Sequence, residues 1–317
     1  MPDQLFDIIF LGGGPAGYQG AIRSAQLGQR VAVVENRELG GVCLNRGCIP
    51  TKTIKASVDL LLRARQAKSY GLEIDNVRPN IEAIIARKDK VVGLLRGGIE
   101  QLFRAHKVVL YQGCGRFLSP REIQVEMKDA RVRLTADKIV IATGSRTFIP
   151  SQFAGMLPGL ITSDEILDLT AVPSSLIIVG AGAIGVEMAS IMAGLGSEVT
   201  VVEMQERILP TEDLEMVSYL LRMLKRQKIK IITGVTVADF RPGTRVQVSL
   251  SNGQALEADA VLVAAGRIPN TDAIGLEAAG LATHSGFLKV NEQMETEVNG
   301  IYAAGDVVGG WLLAHVA

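Results

Sequence analysis

Phe6-Asp7-Ile8-Ile9-Phe10-Leu11-Gly12-Gly13-Gly14-Pro15-Ala16-Gly17 reads as a short buried strand that runs into a glycine turn. Gly12, Gly14 and Gly17 have GxGxxG spacing. A helix of small residues follows, and Arg30-Val31-Ala32-Val33-Val34-Glu35 is a second strand that ends in an acid. Strand, glycine turn, helix, strand and acid in this register make a dinucleotide-binding βαβ unit. Gly12 allows the tight turn, Gly14 lets the backbone approach a pyrophosphate, and Gly17 allows close helix–strand packing. The helix N-terminus, which opens with Pro15 and Ala16, faces the phosphates, and Glu35 is placed to bond a ribose hydroxyl. A GxGxxG alone is a weak signal; the flanking strands and acid give it weight.

The same unit occurs again. Leu176-Ile177-Ile178-Val179 leads into Gly180, Gly182 and Gly185, with Ile184 in the helix start, and Val199-Thr200-Val201-Val202-Glu203 is the second strand with its acid. Two such units are an internal repeat of function: two dinucleotides, or two halves of a relay. An acid at Glu203 bonds the 2′-hydroxyl of NAD and repels the 2′-phosphate of NADP, so NAD is expected. Arg207 is expected to be an exposed charge with no ligand.

Between the two units lies Gly40-Gly41-Val42-Cys43-Leu44-Asn45-Arg46-Gly47-Cys48-Ile49-Pro50-Thr51-Lys52. A regular helix cannot join Cys43 and Cys48, because five steps separate their Cα atoms by roughly 7.5 Å along the axis. Either the thiols are unrelated, or the segment is distorted to bring them together. Pro50 favours a helix start, which places Cys48 beside a helix N-terminus where a thiolate is stabilised. Two buried apolar cysteines in a glycine-rich loop are the alternative.

Further along, helices are expected over 57–69, over 81–105 after the cap residue Asn80, and over 212–227. The apolar stripe of the second, including Leu94, Leu95 and Leu102, reads as core, and Cys114 as a small packing residue. Strands are expected at 107–112, 138–141, 230–233, 245–250, 259–264 and 301–304, with Asn252-Gly253 as a hairpin turn.

Taken together, GGxCxNxGCxPxK at 40–52, Ala142-Thr143-Gly144, Gly266-Arg267-Ile268-Pro269-Asn270 and Tyr302-Ala303-Ala304-Gly305-Asp306 resemble the flavoprotein disulfide reductases. Within that family the segments 43–52 and 201–210 look most like dihydrolipoamide dehydrogenases; glutathione and mercuric reductases are the alternative types. The resemblance implies an α/β fold of two Rossmann-like, three-layer ββα/βα domains. The FAD domain would comprise residues 1–147 and 272–317, with an NAD domain, 148–271, inserted in it. It implies FAD at Gly12, Gly14, Pro15, Ala16, Gly17, Glu35, Gly41, Lys52, Thr143, Gly144, Asp306 and Ala314, with Asp306 on the ribityl chain. NAD would lie at Gly180, Gly182, Ile184, Gly185, Glu203 and Gly266. Cys43 and Cys48 would form a redox disulfide, with Cys48 the thiolate beside the flavin and Cys43 the interchange thiol. Lys52 would stabilise the reduced ring and pair with Glu187, an acid inside an apolar helix that asks for a partner. The implied reaction passes electrons between NAD(H), FAD and this disulfide, as in dihydrolipoamide + NAD+ = lipoamide + NADH. The implied partner is the lipoyl domain of a 2-oxoacid dehydrogenase or glycine cleavage complex.

The bulk numbers agree with such a protein. At 317 residues the chain holds two domains, and 48% hydrophobic residues suit buried parallel strands. Thirty-three basic and 33 acidic residues give zero formal charge, which offers nothing to nucleic acid or a membrane surface. The apolar run 176–196 carries Glu187 and reads as strand plus helix, not a membrane span. The N-terminal residues lack the basic region of a signal peptide, and three cysteines fit a reducing, cytoplasmic setting. Family members add a C-terminal interface domain that forms a homodimer and supplies a histidine base. No His-Pro-Thr segment occurs here, so a truncated form is expected that keeps the NADH-to-disulfide half-reaction. A non-catalytic nucleotide-binding remnant is the third reading.

Overall fold

In the computed structural model, which describes residues 4–155 and 158–317, the chain forms two compact units. Met1–Asp3, the start of the stretch read for a missing leader, fall outside the described residues. The first unit is Met1–Ile49, Val91–Arg146 and Ile268–Ala317; the second is Pro50–Lys90 and Thr147–Arg267.

The chain runs through β1 (Gln4–Leu11), α1 (Pro15–Gln26), β2 (Val31–Glu35), α2 (Gly41–Arg46), α3 (Cys48–Arg65), α4 (Ile81–Ala105), β3 (Val109–Gln112), β4 (Cys114–Ser119), β5 (Glu122–Glu126) and β6 (Arg131–Ile141). It continues through β7 (Ser145–Thr147), β8 (Leu160–Thr162), β9 (Ser175–Val179), α5 (Ala183–Leu195), β10 (Glu198–Val202), α6 (Leu214–Arg226) and β11 (Lys230–Ile232). It closes with β12 (Val237–Arg241), β13 (Val246–Leu250), β14 (Ala255–Ala258), β15 (Ala260–Val263), β16 (Arg267–Pro269) and β17 (Ile301–Ala303).

In the first unit β3, β2, β1, β6 and β17 form a parallel sheet in that order. The long β6 serves two partners on its other edge. Its last residues, 139–141, pair with β17, while 131–135 pair antiparallel with β5, which continues to β4. Both faces of the parallel sheet are covered, so its central strands are largely apolar, as at Ile8–Leu11 and Val31–Val34. On β1, Ile9 and Leu11 face the β4–β5–β6 meander with Phe117, Ile123 and Leu134, and Ile8 and Phe10 face Ala21, Ile22, Ile99 and Phe103 of the helices.

The second unit repeats the plan. Its parallel sheet has the order β11, β10, β9, β15, β8, and β12, β13 and β14 form the antiparallel layer. Leu176, Ile178 and Val201 pack on α5, α6 and the α3 residues Ile54 and Val58. Ile177, Val179 and Val263 pack on Phe240, Val246 and Val248 of the antiparallel layer. The mixed α/β fold is thus two three-layer, Rossmann-like units.

Several expectations change. The chain crosses between units at 146/147 and 267/268, and residues 50–90 group with the second unit. The reason is α3, whose Ile54 and Val58 are buried in the second unit's core. That helix starts at Cys48, two residues before the start that Pro50 favoured, and runs unbroken into the stretch expected as a helix from 57, with Pro50 standing third in it. A proline is tolerated there because first-turn N–H groups have no intrahelical acceptor. Helix α4 has the expected bounds, with the Ala83 N–H donating to the Asn80 carboxamide at 3.0 Å. Its stripe is only partly core: Val92 and Ile99 are buried, but Leu94, Leu95 and Leu102 are exposed. Cys114 is exposed as well. Among the described residues no helix is long and apolar enough to cross a membrane.

Candidate active site

The two glycine turns have the same geometry. Gly12 and Gly180 have φ of +108° and +105°, which side chains rarely adopt. A Cβ on Gly12 would stand 2.2 Å from the Ala142 carbonyl oxygen, and one on Gly180 would stand 2.3 Å from that of Ala264. Gly17 and Gly185 press on their own turns, 1.8 Å and 2.0 Å from the Gly12 and Gly180 oxygens. The middle glycines differ. Nothing lies within 4 Å of a Cβ on Gly182, and only the Gly41 Cα lies near one on Gly14, at 3.7 Å. Open space at the middle position, where α1 and α5 begin, is what a pyrophosphate needs. Pro15 opens α1 with Ala16 behind it; Ile184 is half-buried in the first turn of α5.

The strand-end acids do work that sequence reading missed. Glu35 accepts the Gly13 N–H on Oε2 and the Arg37 N–H on Oε1, both at 2.7 Å. Glu203 repeats this with Ala181 at 2.6 Å and Gln205 at 2.7 Å. Both acids are buried. Each carboxylate therefore fastens its glycine loop to the strand before any ribose is present, and its remaining lone pairs stay available to a hydroxyl. Arg207 is occupied, donating to the Pro210 and Glu212 carbonyls.

Cys43 lies on α2 and Cys48 opens α3, with the helical path broken at Gly47, whose φ is −140° and ψ −110°. The segment between the cysteines is thus distorted from a regular helix. A Cβ on Gly47 would stand 3.3 Å from the Cys43 Cα, so the break is tight against the first cysteine. Cys43 is half-buried and Cys48 exposed. The turn rests on the first glycine loop: Gly40 N–H donates to the Gly13 carbonyl at 2.8 Å, and a Cβ on Gly41, φ +60°, would stand 2.6 Å from the Gly14 Cα. Glu38 and Arg46 form an ion pair across the turn. Burial pushes the Glu38 carboxyl up, but the Arg46 guanidinium outweighs it and holds the group below the usual carboxylate range.

Lys52 Nζ donates to Glu187 Oε2 at 2.8 Å, joining α3 to α5. Farther along the same two helices, Gly194 meets Val58, and Arg65 donates to the Gly194 carbonyl at 3.1 Å. The offsets 52 to 187 and 58 to 194 are nearly equal, so α3 and α5 run parallel and in register. Their N-termini, one bearing Cys48 and the other the second glycine loop, point the same way.

Thr143 and Asn270 are tied reciprocally: the Thr143 hydroxyl donates to the Asn270 carbonyl at 2.7 Å and the Asn270 amide to the Thr143 carbonyl at 2.9 Å. Gly144, φ +67°, accepts the Asn270 N–H at 2.9 Å. Asp306, in a 3₁₀ turn after β17, accepts from the Ser145 hydroxyl. Ser145 and Asn270, which bond the expected residues Asp306 and Thr143, were passed over in the sequence; Asn270 sat in a quoted motif without a role. Gly266 has φ +125° and accepts the Phe148 N–H at 2.9 Å. Ala314 lies in a turn closed by the Val316 and Ala317 N–H groups on the Leu313 carbonyl. Among the described residues no group of three or more His, Cys, Asp or Glu could hold a metal.

Two acid-fastened glycine loops, each opening a helix in a three-layer unit, and a cysteine pair set against one of them define a nucleotide-dependent disulfide chemistry. The chain belongs to the pyridine nucleotide-disulphide oxidoreductases, whose family model matches residues 6–317. Dihydrolipoyl dehydrogenase of Bacillus subtilis is 41% identical over 334 residues, covering 98% of this chain and 69% of that protein. The mitochondrial dihydrolipoyl dehydrogenase of Pisum sativum is 40% identical, covering 98% of this chain and 64% of that protein. Among solved structures, the Cu(II) complex of the HOCl-induced flavoprotein disulfide reductase RclA from Escherichia coli superposes with a TM-score of 0.87 at 31% identity, covering 100% of this chain and 68% of that one. The chain thus spans about two thirds of the length of these relatives.

Proposed function

We propose that the chain is an FAD-dependent dithiol–disulfide oxidoreductase of the dihydrolipoamide dehydrogenase type, with NAD as its nicotinamide partner. The observation that carries this reading is the placement of Cys43 and Cys48 on either side of a glycine break that rests on the Gly12–Gly14 loop. The names of the relatives support the lipoyl group as the dithiol substrate, carried on the lipoyl domain of a 2-oxoacid dehydrogenase or glycine cleavage complex. The working compartment is the cytoplasm, from the low cysteine count. FAD would be held by Gly12, Gly14, Gly17, Glu35, Gly41, Thr143, Gly144 and Asp306, and NAD by Gly180, Gly182, Gly185 and Glu203. When bound, FAD supplies the two-electron passage between the nicotinamide and the cysteine pair.

The chain's own part is thiol–disulfide exchange. A thiolate of dihydrolipoamide attacks the Cys43 sulfur; the Cys43–Cys48 bond breaks and Cys48 leaves as thiolate. The second substrate thiolate then attacks its mixed-disulfide sulfur, closing the lipoamide ring and releasing Cys43. Two electrons thus pass to the cysteine pair, and two protons leave the substrate. Cys48 suits the leaving role because it opens α3, where the helix dipole lowers a thiol's pKa and a less basic thiolate departs faster. Its helix position carries this assignment, since exposure alone would not. Lys52, paired with Glu187, supplies a fixed positive charge one turn from Cys48.

Thiol trapping tests the reading. One equivalent of NADH, added without oxygen to the flavin-loaded chain, is expected to create two alkylatable thiols, mapped by mass spectrometry to Cys43 and Cys48. Alkylation of both cysteines that is the same with and without NADH would overturn it.

A further inference from the structure

We propose that Asn45 is a positioning residue: its amide clasps the helix carrying Cys43 to the 38–41 turn, which itself rests on the first glycine loop, and thereby sets the oxidation equilibrium of the Cys43–Cys48 pair. The proposal rests on the reading of that pair as a redox disulfide. Asn45 lies in the last turn of α2, between the cysteines. Its Nδ2 donates to the Gly41 carbonyl at 2.9 Å and the Leu39 carbonyl at 3.0 Å, with the Glu38 carbonyl at 3.5 Å. These carbonyls bracket Gly40 and Gly41, the two left-handed residues that rest on Gly13 and Gly14. One amide therefore holds the helix of Cys43 to the 38–41 turn, and the Gly40 N–H of that turn donates to the Gly13 carbonyl of the first glycine loop.

The orientation of the amide is fixed by its surroundings. All its near neighbours on that side are acceptors, and a flipped amide would set oxygen against oxygen. The consequence is that Asn45 Oδ1 is buried with no hydrogen-bond partner among the described residues. A buried acceptor left unmet is unfavourable and uncommon in folded proteins. Arg46 holds the same segment through Glu38, so both residues before the Gly47 break strap the turn down. Strapping keeps the two sulfurs at high effective concentration. Releasing the Cys43 side lowers that concentration and moves the pair toward the dithiol.

Equilibration of the flavin-loaded full chain with glutathione buffers, without oxygen, measures this. Two glutathione thiols are oxidised to one glutathione disulfide while the Cys43–Cys48 bond is reduced to two thiols, with two electrons and two protons transferred. Asn45→Asp keeps the volume and sets a carboxylate oxygen against the carbonyls. It is expected to shift the equilibrium at least tenfold toward the dithiol, about 30 mV less negative for a two-electron couple. Asn45→Ser, with one hydroxyl donor, is expected to fall between, and it carries the test alone if the aspartate variant does not fold. Thermal melts of each variant separate a lost fold from a shifted equilibrium. A folded Asn45→Ser or Asn45→Asp variant with the parent equilibrium would overturn the proposal. A parent chain whose Cys43 and Cys48 do not respond to glutathione at all would remove the redox pair itself, which is a different failure.

Discussion

At the scale of single residues, the two glycine loops and the ion pair between α3 and α5 carry the sharpest tests. Alanine at 12 or at 180 meets both a positive φ and a carbonyl oxygen closer than 2.5 Å, so the loop must move. Backbone strain of this kind costs on the order of 1–3 kcal/mol. Gly12→Ala is expected to purify with little flavin. Gly180→Ala is expected to keep its flavin and to bind NADH at least about tenfold more weakly, the equivalent of 1.4 kcal/mol. Flavin absorbance and an NADH titration separate the two; equal loss of flavin in both would contradict the division of labour. Lys52 is 62% exposed, so its ion pair with Glu187 adds little to stability. Glu187→Gln is therefore expected to change unfolding free energy by less than about 0.5 kcal/mol, while it slows NADH-driven reduction of the flavin roughly tenfold, a modest loss of fixed charge stabilisation. A stopped-flow trace unchanged from the parent would remove Glu187 from the site.

At the scale of elements, packing decides what pattern alone leaves open. The parallel in-register contact of α3 with α5 depends on Gly194, where a Cβ would stand 2.5 Å from Val58 Cγ1. Gly194→Ala is expected to destabilise by about 1–3 kcal/mol through overpacking. Gly194→Ala with Val58→Ala should lose less than the two single changes added together, because the pair is in contact; additive losses by urea unfolding would argue against that contact. The Glu38–Arg46 strap sets a pH dependence. Glu38 has its folded pKa below the ordinary carboxylate value. The stability it contributes is present above that ordinary value, near 4.3, and is lost as pH falls through the lowered folded value. Melting curves from pH 7 to pH 3 are expected to show Glu38→Gln close to the parent at the acid end and below it at neutral pH. The elements that could be read from sequence were those with a local signal: both βαβ starts, α4 with its Asn80 cap, and the Asn252-Gly253 hairpin. The end of β6 was read at 138–141, but β4, β5 and the first half of β6 were passed over, although Ile123 and Val125, like Val132 and Leu134, alternate as strand residues do. Pro50 signalled the start of α3 to within two residues, but no local pattern showed that the helix runs unbroken from there to Arg65. That helix takes its stability from burying Ile54 and Val58 against the second unit's core.

At the scale of the whole molecule, one plan is used twice. Each unit presents a parallel sheet between helices and an antiparallel layer, a glycine turn with its first residue near φ +105°, and a strand-end acid that fastens the turn. The repeat, the cysteine pair and the Glu203 acid were legible in the residues because each is a motif of fixed local spacing. What the acids bond, what Asn45 holds and which unit claims residues 50–90 depend on contacts far apart in sequence, and no local pattern records them. The proposed function requires that electrons pass from NADH through the flavin to the Cys43–Cys48 pair. The most direct test is the absorbance spectrum of the flavin-loaded chain, taken without oxygen before and after one equivalent of NADH, for the parent and for Cys43→Ser. NADH is expected to give the parent a long-wavelength charge-transfer band, the sign of a Cys48 thiolate beside an oxidised flavin. The Cys43→Ser chain, which has no disulfide to accept the electrons, is expected to bleach instead. A parent that bleaches without the band, or that shows no response to NADH, would contradict it.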